Sequence, residues 1–134
     1  VAGVAVDDAV DAMLEGDRPR LDRAFGRLLA SGTNPYVILA AAIRQLQAML
    51  SMRAQMESEG KSASTVVASA RPPVFFTRRR LVEQALQRRD QAALLRALER
   101  IQAAVLHTRR KPDLATAAAR QALLALAAEQ PRSR

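Results

Sequence analysis

Apolar positions along most of this chain recur at steps of three and four residues, the spacing of one face of an α-helix. The longest run follows Thr33-Asn34-Pro35, where Thr33 or Asn34 can cap a helix and Pro35 suits its first turn. No glycine or proline follows until Gly60, so Pro35 to Glu59 reads as one helix of about 37 Å. Leu39, Ile43, Leu46 and Leu50 make its apolar stripe, and Ala42, Met49, Arg53 and Met56 line the adjoining face. Met49, Met52 and Met56 read as core filler. A helix this apolar needs other helices against it.

The rest of the pattern supplies them. Val6 to Glu15 predicts a first helix, with Val6, Val10, Met13 and Leu14 on one face. Asp7, Asp8 and Asp11 then lie near its start, where carboxylates complement the helix dipole. Gly16 ends this helix and Asp17 caps a second, whose inner face is Leu21, Phe25, Leu28 and Leu29. After the long third helix, residues 60–73 are small or polar and read as an internal linker, with a weak helical turn or two at 65–70. Ser62, Ser64 and Ser69 read as linker residues, and Pro72-Pro73 blocks any continuing helix. Val74-Phe75-Phe76 comes next and is expected to plug into the core.

Thr77 is the expected cap of a helix reaching Arg89, with Leu81, Val82, Ala85 and Leu86 facing in. Asp90 caps another, to about Arg110, carrying Leu94, Leu98, Ile101 and Val105, with Leu95 and Leu106 beside them. Lys111-Pro112-Asp113 breaks it. A last helix from Asp113 to about Glu129 carries Leu114, Ala117, Ala118, Leu123, Leu124 and Leu126, and 130–134 is expected to fray. The sum is one all-α domain over residues 1–134: a helical bundle of six or seven mostly antiparallel helices.

Composition narrows the chemistry. There is no cysteine and one histidine, His107, which excludes disulfides, thiolate metal sites and multi-histidine metal sites. The five glycines are isolated, so no phosphate-binding loop exists. His107 lies near a helix end with no Ser, Cys and Asp constellation around it. No catalytic residue, cofactor site or metal site is therefore expected. No apolar run is long enough for a membrane span, and the N-terminus has no signal-peptide core. These features lead to a cytoplasmic expectation. The chain begins at Val1 without an initiator methionine, which points to processing or to a C-terminal fragment of a longer protein.

The net charge is +8, and every basic residue but Lys61 and Lys111 is arginine. Three basic clusters stand at helix ends: Arg78-Arg79-Arg80, Arg88-Arg89 and Arg109-Arg110-Lys111. Each reads first as solvated charge and second as a contact for phosphate or a partner. Aromatics are only 3%, so base stacking along a single strand has little to work with. No base-reading helix stands out. The alternative kept open is a basic helical nucleic-acid-binding module.

The order of the pieces resembles a known family. VDAMLEGDRPRLDRAFGRLLASGTNPYVILAAAIRQLQAML, then RPPVFFTRRR, then TRRKPDLATAAARQALLALA are similar to the C-terminal domain of the bacterial DNA polymerase III clamp-loader delta subunit. The family's Gly-x-x-Pro turn has its counterpart at Gly32-Thr33-Asn34-Pro35, and its Arg-Gln-Leu helix core at Arg44, Gln45 and Leu46. Its Pro-Phe segment and its basic residue before the last helix correspond to Pro73 to Phe76 and to Lys111. The family often has an acidic residue shortly before that lysine, where this chain has His107-Thr108-Arg109-Arg110. The resemblance implies a non-enzymatic, all-helical collar domain that packs with the other clamp-loader subunits in DNA replication. The arginine clusters add an expected nonspecific proximity to DNA, and the composition leads to no cofactor and no membrane partner. Arg44, Arg78, Arg79, Arg80, Arg109, Arg110 and Lys111 are the candidate partner or phosphate contacts.

Overall fold

A computed structural model describes residues 2–129. Seven α-helices run in order: α1 (Ala2–Glu15), α2 (Arg18–Ala30), α3 (Pro35–Glu59), α4 (Ala63–Ala68), α5 (Arg79–Arg88), α6 (Gln91–Arg110) and α7 (Ala115–Ala128). Short 3₁₀ turns at Phe76–Arg78 and Pro112–Leu114 lead into α5 and α7, and no strand occurs among the described residues. The tail 130–134, read from sequence as frayed, lies outside the described residues.

Capping residues set the helix starts. Asp17, Asn34, Ser62 and Asp90 each accept a hydrogen bond from a first-turn backbone N–H, at 3.1, 2.8, 3.2 and 2.8 Å. Thr33, the rival of Asn34 for the α3 cap, instead meets the Ser31 hydroxyl at 3.3 Å. Gly60 ends α3 in a left-handed conformation (φ 64°) that a side chain would strain. Residues 60–73, read as a linker, hold α4, whose Ala63, Val66 and Val67 are buried in the core.

The core is one continuous cluster to which all seven helices contribute. Helix α3 packs on α6 in the antiparallel sense: Arg109 near the end of α6 approaches Tyr36 at the start of α3. The α1–α2 and α6–α7 pairs are joined by short connections and also run antiparallel. Within α3 the fully buried line is Leu39, Ala42, Leu46 and Met49, while Ile43 and Leu50 sit at its half-buried edge. Helix α1 is hemmed in by α2, α3, α5 and α7, so every residue from Ala9 to Leu14 is buried.

Four expectations are corrected. Phe75 and Phe76 do not enter the core; they stand 79% and 82% exposed. Val74 and Leu81 already supply the partly buried packing there, so the two rings are left outside. Helix α1 begins at Ala2, four residues before Val6, and so Asp7, Asp8 and Asp11 fall beyond its first turn. Thr77 caps nothing, because the 3₁₀ turn carries the chain into α5 without a side-chain cap. Leu95, Leu106 and Leu114 are about half exposed, the first two because they lie off the buried face of α6.

Candidate functional surface

The arginine clusters divide into charges committed to the fold and charges that face solvent. Arg78, at the end of the 3₁₀ turn, is committed. Its Nε and Nη2 donate to Asp11 of α1 at 2.6 to 3.1 Å, and Nη2 also donates to Gln45 of α3 at 2.9 Å. Asp11 is only 8% exposed, and a guanidinium fork matches a carboxylate in shape and charge. The hydrogen bonds from Arg78 to Asp11 raise the arginine's pKa above its ordinary value, against the opposing pull of burial. This contact ties the start of α5 to α1 and α3.

Arg89 is committed more deeply. The sequence suggests solvated charge for Arg88-Arg89, but Arg89 is 2% exposed. Its Nη2 donates to the carbonyls of Leu126 and Glu129 at 3.2 and 3.0 Å, at the C-terminus of α7. Terminal carbonyls lack intrahelical donors and carry the negative end of the dipole, which is why a buried cation is tolerated there. Burial lowers the Arg89 pKa from the ordinary arginine value, with the Glu129 charge acting the other way. Arg53 does the same for α5, donating to the Leu86 carbonyl at 2.8 Å and to Glu57 at 3.0 Å. Sequence reasoning missed these cation-to-carbonyl bonds. Their only trace in the sequence is an arginine within or beside an apolar face.

Arg44, Arg80, Arg109, Arg110 and Lys111 face solvent. Arg79 is half-buried, with Nε 3.4 Å from the Val74 carbonyl and its guanidinium 5.9 Å from the centre of the Phe76 ring. Arg109 sits 5.6 Å from the centre of the Tyr36 ring, beside a groove of about 490 Å³ that includes Asn34, Thr108 and Thr116. The candidates therefore form two groups along α3. Arg109, next to Arg110 and Lys111 in the chain, is at its N-terminal end by Tyr36, while Arg78, next to Arg79 and Arg80, meets it at Gln45, about 14 Å further along the axis. Arg44 neighbours Gln45 in the chain. His107 lines a shallow groove between α6 and α7 with Ala103, Ala118 and Ala122.

Among the described residues, no group of three or more His, Asp or Glu could hold a metal ion. No described helix is long and apolar enough to cross a membrane. What the surface offers is guanidinium groups on rigid helix ends and exposed rings beside them. The chain matches no protein-family model, no curated protein and no solved structure.

Proposed function

We propose that this chain is a non-catalytic assembly domain, the collar piece of a DNA polymerase III clamp-loader delta subunit. The observation that carries the reading is the order of the resembling segments on an all-helical bundle. The Gly32 to Pro35 turn opens the 25-residue helix α3, and the Pro-Phe segment leads into α5. Lys111 directly precedes the turn into α7. The solvent-facing features also favour packing: helix-end arginines and exposed Phe75, Phe76, Leu95, Leu106 and Leu114. In this reading the domain works by joining other loader subunits through helix-to-helix contacts. It hydrolyses no nucleotide, and DNA is a passing neighbour.

The experiment is co-purification of the chain with the other clamp-loader subunits at high salt, beside a DNA titration. Apolar packing persists as salt rises, whereas phosphate contacts weaken steeply. Salt-resistant association supports the collar. Failure to associate, with DNA binding that tracks base sequence, refutes it. The second reading, a basic nucleic-acid-binding module, draws on one observation: Arg109, Arg110 and Lys111 stand exposed together at the start of α3. In that case the same titration gives DNA affinity lost on reversing those three charges.

A further inference from the structure

Two of the chain's three phenylalanines stand side by side in solvent, at Phe75 and Phe76. Exposed large aromatics on an ordered surface mark contact sites, where they act as anchors. The backbone around them is held on both sides. Val74 packs against the core, Arg79 donates to the Val74 carbonyl, and Arg78 is clamped by Asp11 and Gln45. Little ordering is left to be done when a partner arrives, which favours affinity.

A groove of about 590 Å³ lies beside this segment, lined by Val74 and Arg78, which stand on either side of the rings in the chain. Ala48, Met52, Val66 and Pro73 give it an apolar floor, and Gln45 and Gln55 add amide groups. Asp11 of α1 is taken up by Arg78 at its edge, and the segment that carries the rings is basic throughout. No Asp or Glu occurs between Glu59 and Glu83, while Arg71, Arg79 and Arg80 flank the two rings in sequence. Arg71 and Arg80 face solvent.

We propose that this surface receives an amphipathic helix of a neighbouring protein subunit, apolar where it meets the rings and the groove, and acidic along its edges. The inference rests on the assembly reading and adds the surface and the chemistry of the partner. An apolar centre rimmed by guanidinium groups is complementary to such a helix. A nucleic-acid strand fits less well: of the lining cations Arg78 is already paired with Asp11, and Arg79 already lies over the Phe76 ring.

The test uses the full chain and the purified clamp-loader subunits. The Phe75→Ala, Phe76→Ala double variant should bind them about 30-fold more weakly, the size of a hot-spot loss. Its thermal midpoint should stay unchanged, because both rings are exposed. Arg80→Glu should weaken binding and flatten its salt dependence. A photo-crosslinking phenylalanine analogue at position 75 should attach to an acidic helical segment of one subunit. Unchanged affinity of the double variant, with association intact, overturns this surface and leaves the collar reading standing. No association of the unaltered chain overturns both. If the double variant loses affinity for an oligothymidine strand while subunit binding is intact, the surface belongs to nucleic acid and the proposal fails.

Discussion

Removing Arg78 should destabilise this fold out of proportion to one surface arginine. The Arg78→Ala variant leaves the Asp11 carboxylate buried against α3 and α5 without the three hydrogen bonds it now accepts from that residue. Breaking a fully buried pair from one side costs about 3–5 kcal/mol, because a charge is stranded away from water. Here the side chains retain 24% and 11% of their exposure, so water screens part of the loss and about 2–3 kcal/mol is expected. For a chain of this length that lowers the thermal midpoint by about 10 °C. Asp11→Ala should cost less, since Arg78 can turn toward solvent while keeping Gln45. The double variant should be less destabilised than the sum of the singles, with a coupling of about 1–3 kcal/mol. Arg78→Met with Asp11→Leu, which fills the space with apolar atoms, should recover much of the stability. Urea unfolding followed by circular dichroism measures all four. Single variants that each lose under 0.5 kcal/mol and add without coupling would refute the view that this pair organises the start of α5.

Leu46, fully buried on α3, should lose about 2–5 kcal/mol on truncation to alanine, read as a lower urea midpoint with unchanged slope. Phe75→Ala should change stability by under about 0.5 kcal/mol, the opposite of what a core position gives, as a thermal melt will show. Arg89→Ala removes the guanidinium donor from the Glu129 carbonyl and from the Leu126 carbonyl, which still accepts the Glu129 N–H, and should cost about 1–3 kcal/mol, with faster amide exchange over the last turn of α7. Arg89→Lys should restore only part, because a compact ammonium is more strongly hydrated than a guanidinium and loses more on burial. Asp22 has its carboxyl held below the ordinary value of 3.8 by the hydrogen bond from Arg120 at 2.7 Å. The link it makes between α2 and α7 is thus present above that value and is lost as pH falls through the lowered one. The difference in thermal midpoint between the native chain and Asp22→Asn should shrink toward zero in strong acid.

Helical periodicity made most of this architecture legible. The caps Asp17 and Asp90, a cap for α3 at Thr33 or Asn34, the breaks at Gly16 and Gly60, and the stripes of α3 and α6 all follow from local chemistry that needs no knowledge of the fold. Phe75 and Phe76 show the limit of that reasoning. Apolarity alone says a ring gains by burial, but whether room remains depends on what Val74, Leu81 and α4 have already filled. The charged positions show it again. Arg78, Arg79 and Arg80 are chemically the same and adjacent, yet the first is clamped by Asp11 from 67 residues away while the third faces water. Arg89 gives no local hint that it will seal the end of α7. Distant pairings of this kind are set by how helices dock, which is the part a single sequence carries only implicitly.

The enclosure of Ala9 to Leu14 in α1 has a consequence for how the chain is made. Its inner face meets α2 almost at once, but the surfaces of α5 and α7 that complete its enclosure are encoded far downstream. Roughly 100 residues separate α1 from α7, and at typical synthesis rates that distance is a delay of about 5–20 s. Through that interval Val10, Met13 and Leu14 belong to a partly covered apolar face, and Asp11 waits for a counter-ion not yet made. A nascent chain in this state is one that a holding chaperone would bind. Release would come when α5 and α7 emerge and compete for the same surface.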